Sequence, residues 1–178
     1  MIIAGQGKEA AQKAVRRVLT PYFKIGREIF IYPADLENPA ELKFLIKKSS
    51  LPILIVIRSD NNSEKIRQLI KMMPSFGHLI LNSDDSKIEE INGANLKALS
   101  FGFSVGADFQ AGDINANGGT NFKVSYKGNV VPFWLDGVFQ KEQIYQVLSA
   151  IAVATLFDLN LVEISQSLKN YRPELLTE

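Results

Sequence analysis

Residues 4–10 read AGQGKEA, a short turn with two glycines, then a lysine, then a helix-forming run. Gly5 and Gly7 would let backbone N–H groups curl around a phosphate, and the Lys8 ammonium would neutralise part of its charge. Nucleotide sites of this kind place a Ser or Thr hydroxyl directly after the lysine, where it holds Mg²⁺. Here that position is Glu9, whose carboxylate would face phosphate charge instead of metal. The same residues also describe an ordinary turn into an amphipathic helix, with Glu9 favourable in the first turn through the helix dipole. Both readings stay open on the loop alone.

Further along, Asp84 and Asp85 are carboxylates suited to a nucleotide or a metal, or to capping a helix over 86–91, and the cap is the preferred reading. His78 opens an apolar run and reads as structural. Phe133 and Trp134 read as packing residues. Lys169 and Arg172 near a helix end suit the helix dipole without a ligand.

Positioning these residues requires a layered scaffold. The runs EIFIY (28–32), PILIVI (52–57) and HLIL (78–81) suit strands buried on both faces. Between them, residues 9–19, 39–48 and 63–73 carry apolar side chains at helical spacing; Ile66, Leu69, Ile70 and Met73 form one stripe. Strands alternating with helices predict βαβ units and a mainly parallel sheet over residues 1–95. Residues 96–135 change period. Strand-like runs at 109–114, 121–126 and 130–135, with a Lys127-Gly128-Asn129 turn, predict a small antiparallel β extension. Residues 136–178 read as C-terminal helices, over 140–157 and 161–170. The expected fold is a three-layer α/β sandwich in a single domain spanning 1–178.

Composition narrows the partners. At 178 residues, 46% hydrophobic and 22% charged, the chain suits one soluble domain. A net charge of +1 gives no electrostatic case for nucleic acid or an anionic membrane. The absence of cysteine excludes disulfides and thiolate metal sites, and with His78 as its one histidine the chain is not expected to hold a His-based metal site. No secretory pattern opens the chain, and cytoplasmic is the default location.

Five segments in order, LNSDD (81–85), SFGF (100–103), GADFQAGDI (106–114), GTNFKV (119–124) and LVEISQSLKNYRP (161–173), resemble the central domain of the Mur ligases. The type it most resembles adds D-alanyl-D-alanine to a UDP-muramoyl tripeptide in peptidoglycan synthesis. The likeness is strong over 79–173 and weak before it. It implies a P-loop NTPase-like α/β fold that uses ATP and Mg²⁺ to activate a carboxylate for attack by an amine. By resemblance, the residues available to a nucleotide are Gly5, Gly7, Lys8, Asn82, Asp85 and Gln146, the last standing where the family has an adenine-contacting Asn.

The likeness also has gaps. Ala4 replaces the family's first glycine, and Glu9 replaces the metal-binding hydroxyl. NPAEL (38–42) matches the family's turn after its second strand, which puts Pro33 where a metal-binding Glu is expected. RSDNNSEK (58–65) is shorter than the family's segment for a second metal and lacks its His. No terminal domains of the complete enzymes are visible in the sequence. The expectation is therefore a degenerate module with no catalytic residue and no metal ligand. It would bind a protein partner, a second copy of itself, or a nucleotide weakly. The alternative is an ATP-dependent amide-bond ligase subunit needing other domains in trans, and a third reading is a nucleotide sensor.

Overall fold

The structure, a computed structural model, describes residues 1–89, 96–169 and 171–172. Positions 90 and 91 of the expected 86–91 helix, Asn170 at the end of the last helix and the Pro173 end of the final motif lie outside the described residues.

Eight strands form one sheet in the order β2-β1-β3-β4-β5-β6-β7-β8. These are β1 Ile2–Ala4, β2 Tyr32–Pro33, β3 Ile53–Val56, β4 His78–Asn82, β5 Lys97–Gly102, β6 Phe109–Asn115, β7 Thr120–Tyr126 and β8 Asn129–Leu135. Helices α1 (Lys8–Leu19), α5 (Lys141–Thr155) and α6 (Leu161–Leu168) share one core, and α2 (Pro39–Lys48) and α3 (Ser63–Lys71) share a second; a short α4 (Ser86–Glu89) follows β4.

The apolar strands divide their side chains between the two cores. Ile53, Ile55 and Ile57 enter the first, and Leu54 and Val56 the second. A strand buried on both faces has to be apolar at every position, which is why PILIVI shows no alternation. Asn38 caps α2 by accepting the Glu41 N–H, with Pro39 at the start where a missing N–H has no effect. Asn160 caps α6 with a complete capping box to Glu163.

The sequence boundary at residue 96 shifts. β5 runs parallel to β4 and β6 parallel to β5; antiparallel pairing starts only at β7. β5 was not among the expected strands, because only Phe101 and Gly102 of its six residues are buried. β6 overlaps β5 by two register pairs, Phe101–Phe109 and Gly102–Gln110. The rest of β6 therefore runs past the carboxyl end of β5, and a short link replaces the long crossover that parallel strands otherwise need. Asp108 holds that link by accepting the Ser100 N–H at 2.7 Å and its hydroxyl at 2.8 Å. Among the described residues, no helix is long and apolar enough to cross a membrane.

Candidate functional site

Because β1 lies between β2 and β3, the chain leaves β1 in one direction for β2 and returns to its other side for β3. Such a switch point opens a crevice beyond the carboxyl ends of the two central strands, where α/β folds hold ligands. The turn after β1 is Gly5–Gly7 and the segment after β3 carries Arg58–Asp60, so the AGQGKEA loop lies at that crevice.

The crevice is bridged by the protein itself. The Gln6 N–H donates to the Arg58 carbonyl at 3.1 Å. Gly5 has φ +92°, and a Cβ there would sit 1.9 Å from the Arg58 oxygen, so glycine is required by both conformation and space. Gly7, at φ +84°, is the N-cap of α1 and supplies no side-chain cap. The first-turn N–H groups of α1 therefore lack a capping side chain. The Arg58 guanidinium lies 3.4 Å from Asp60 and 3.8 Å from Glu142 on α5. The Lys8 ammonium donates to the Ala34 carbonyl at 2.5 Å, just past Pro33, and lies 3.9 Å from Glu9.

The polar residues after β4 are equally engaged. Asn82 is buried; its Nδ2 donates to the Ile57 carbonyl and its Oδ1 accepts the Asp84 N–H, each at 3.0 Å. Asp85 accepts the Ser59 N–H at 2.6 Å and the Ser59 hydroxyl at 2.8 Å through Oδ2, and the Lys87 N–H at 3.1 Å through Oδ1. Asp85 thus caps the start of α4, as the preferred sequence reading held, and also ties the loop after β3 to the loop after β4.

Asp84 does most of the fastening. Its Oδ2 accepts the Phe103 N–H at 2.7 Å and the Tyr145 hydroxyl at 2.8 Å, and its Oδ1 accepts the Ser104 N–H at 2.9 Å. Burial alone would raise its pKa, but the bonds from Ser104, Phe103 and Tyr145 outweigh burial and hold it below the ordinary carboxylate value. Burial and then Asp84 push the Tyr145 hydroxyl well above its usual value, so it stays a donor. Lys141 Nζ lies 3.9 Å from the carboxylate and 4.8 Å from the Phe103 ring centroid.

Gln146 is buried on α5, and its Nε2 lies 2.9 Å from where a Cβ on Gly7 would be. The residue placed by resemblance near an adenine base therefore sits over the glycine loop. Its Oε1 is buried without a hydrogen-bond partner. A buried unpaired acceptor typically costs about 1–3 kcal/mol. Gln146→Met, of similar volume, is therefore expected to leave stability unchanged or raise it by about 1 kcal/mol. Urea unfolding checks this; a loss like that of a bonded polar residue would contradict it.

Of the six residues expected to meet a nucleotide, Gly5, Gly7, Lys8 and Gln146 are gathered at the start of α1. Asn82 and Asp85 serve the neighbouring loops. Sequence reasoning missed Arg58, Ser59, Tyr145 and the Ala34 carbonyl. Arg58 and Ser59 had one usable signal, their place directly after the apolar β3 run. The residues present do not fit a magnesium-bound nucleotide: Glu9 points to solvent beside Lys8, Pro33 offers no carboxylate, and Asp84 and Asp85 have both oxygens engaged. Among the described residues, no group of three or more His, Asp or Glu side chains could hold a metal.

No family model matches the chain. By sequence it is 26% identical over 116 residues to the UDP-N-acetylmuramate–L-alanine ligase of Caldanaerobacter subterraneus subsp. tengcongensis, covering 64% of this chain and 25% of that protein. It is 31% identical over 114 residues to the enzyme of the same name from Hydrogenobaculum sp., covering 61% and 24%. By structure it superposes on the D-alanyl-D-alanyl ligase of Acinetobacter baumannii with a TM-score of 0.77 at 14% identity, covering 97% of this chain and 46% of that one. The chain is similar to Mur ligases in sequence over about three-fifths of its length, and it shares their central fold. MurF ligase of Thermotoga maritima, solved in complex with ADP, superposes with a TM-score of 0.75 at 14% identity, covering 92% and 47%. The Neisseria meningitides ligase MPL gives 0.77 at 13% identity, covering 98% and 66%. The chain spans about a quarter of the length of the curated relatives it matches. Those sequence relatives add L-alanine by name, whereas the structural ones include D-alanyl-D-alanyl ligases. The comparisons single out no one reaction type.

Proposed function

We propose that this chain is a binding module of peptidoglycan precursor synthesis that does not itself transfer a phosphoryl group. One observation carries the reading: the Gln6 N–H, the Lys8 ammonium and the carboxylates that would meet phosphate and metal are bonded to the protein's own chain. Gln6 N–H is on Arg58, Lys8 is on Ala34, and Asp84 and Asp85 are on backbone N–H groups and hydroxyls. Phosphoryl transfer depends on positioning and charge neutralisation, and the loss of one stabilising donor typically lowers the rate about 10²–10³-fold. The module's ligand on this reading is a protein, either a cell-wall ligase or a second copy of itself.

Calorimetric titration with Mg-ATP is expected to give no binding at micromolar nucleotide. Micromolar affinity accompanied by ATP turnover would overturn the proposal. A second reading has one observation in its favour, the α1 N-terminus left without a side-chain cap. It makes the chain an ATP-dependent ligase subunit, of the D-alanyl-D-alanine type or another, completed by domains in trans. Lys8→Ala separates the two. The subunit reading requires loss of nucleotide affinity, and the module reading predicts unchanged partner binding.

A further inference from the structure

At the amino end of the parallel strands, opposite the Gly5–Gly7 loop, a cleft of about 390 Å³ opens between β2, the last turn of α2 and the turn into β3. Small-molecule sites occupy about 300–1,000 Å³. Buried Ile46 and Ile53 contribute to its wall. Phe30, Tyr32, Phe44 and Leu51, four large apolar residues that remain exposed, all line it as well. Single exposed apolar residues need no explanation, but four converging on one cleft do. The Phe30 and Tyr32 rings are parallel to within 4°, with centroids 6.4 Å apart.

The charges at the mouth are unequal in availability. Lys48 lines the cleft with its ammonium 5.7 Å from the Phe44 ring centroid, and no carboxylate among the described residues pairs with it. The carboxylate of Glu28, also in the lining, accepts the Lys24 N–H at 2.7 Å. Lys47 and Lys48 in the last turn of α2 outweigh the partial negative charge of that helix end. The complementary ligand has an apolar body and one acidic head. Strand addition at this edge is disfavoured, because Pro33 has no N–H and the Ile31 carbonyl already accepts Gln12 Nε2 at 2.7 Å. A membrane surface is a poor match as well, since it draws on a cluster of several basic side chains, whereas Lys48 alone of the lysines lines the cleft.

We propose that this cleft binds a soluble medium-chain carboxylate, its tail against Phe30, Tyr32 and Phe44 and its head on the Lys48 ammonium. The test is titration of the full chain with dodecanoate below its micelle-forming concentration, beside dodecyltrimethylammonium, which carries the same tail and a cationic head. Dodecanoate is expected to bind, and the cationic amphiphile to bind about tenfold more weakly or not at all. Lys48→Glu is expected to weaken dodecanoate about tenfold, and Phe44→Ala about threefold. Both side chains are exposed, so the fold is expected to survive either change, with circular dichroism as the check. No binding of dodecanoate, equal binding of the two amphiphiles, or an unchanged affinity in Lys48→Glu each overturns the proposal. So does binding to anionic vesicles without binding of monomeric dodecanoate, which would assign the patch to a membrane surface.

Discussion

Asp84→Asn is expected to lower the unfolding free energy by about 2–3 kcal/mol, and Asp84→Ala by about 3–5 kcal/mol. The carboxylate is only 7% exposed, so solvent does little to screen it. It receives two backbone N–H groups and the Tyr145 hydroxyl, and hydrogen bonds to a charged acceptor are roughly twice as strong as neutral ones. Alanine leaves the Phe103 N–H and the Tyr145 hydroxyl half-buried without a partner, while the Ser104 N–H is exposed and can turn to water. Asparagine keeps one acceptor oxygen, but its NH₂ group opposes a donor.

The same residue sets an acid limit on stability. Its pKa in the folded protein lies below the ordinary 3.8, so protons prefer the unfolded chain. The stability it contributes is present above the unfolded value and is lost as pH falls through the folded value. The gap between wild type and Asp84→Asn, measured by urea unfolding, is therefore expected to be constant near neutrality and to narrow below about pH 4. A gap that stays constant down to pH 2 would show that the charge on Asp84 contributes nothing to the fold.

Gly5→Ala is expected to cost more than 3 kcal/mol, the second large effect, as the sum of roughly 1–2 kcal/mol of left-handed strain and a backbone collision. The added Cβ would lie 1.9 Å from the Arg58 oxygen, so one of the two loops has to move and the Gln6–Arg58 hydrogen bond has to break. Gly26→Ala is the control: its φ is +87° with nothing within 4 Å of the new Cβ, so it isolates the strain at about 1 kcal/mol. Amide exchange at Gln6 in Gly5→Ala is expected to speed up together with the loss of stability. Equal costs for the two substitutions would mean that β1 and β3 do not close on each other as described.

Much of the scaffold was legible in the sequence because burial leaves direct marks on it. PILIVI suited a two-faced strand, since a short unbroken apolar run fits a strand buried on both faces. The Ile66, Leu69, Ile70 stripe had to be one helix face. The start of β5 carries no such mark, because Lys97 and Ala98 are exposed and the strand is held by its neighbours' backbones rather than by side-chain burial. Its direction was hidden as well, because the stagger that lets β6 follow it in parallel is a property of register, not of residue type.

The candidate site divides along the same line. The sequence by itself determined which groups were available: two glycines able to take positive φ, a lysine at a helix start, a glutamate where a hydroxyl was expected, a proline where a carboxylate was expected. Set beside the resemblance, those identities are the source of the expectation of no metal ligand at this loop. What each group does was decided only by tertiary structure. The sheet order sets β3 beside β1, and that places the Arg58 carbonyl against Gly5 and Gln6. The packing of α5 on the sheet brings Tyr145 to Asp84 and Gln146 to Gly7. Hydrogen bonds act over about 3 Å, and residues so far apart along the chain come within that reach only when the whole sheet is assembled.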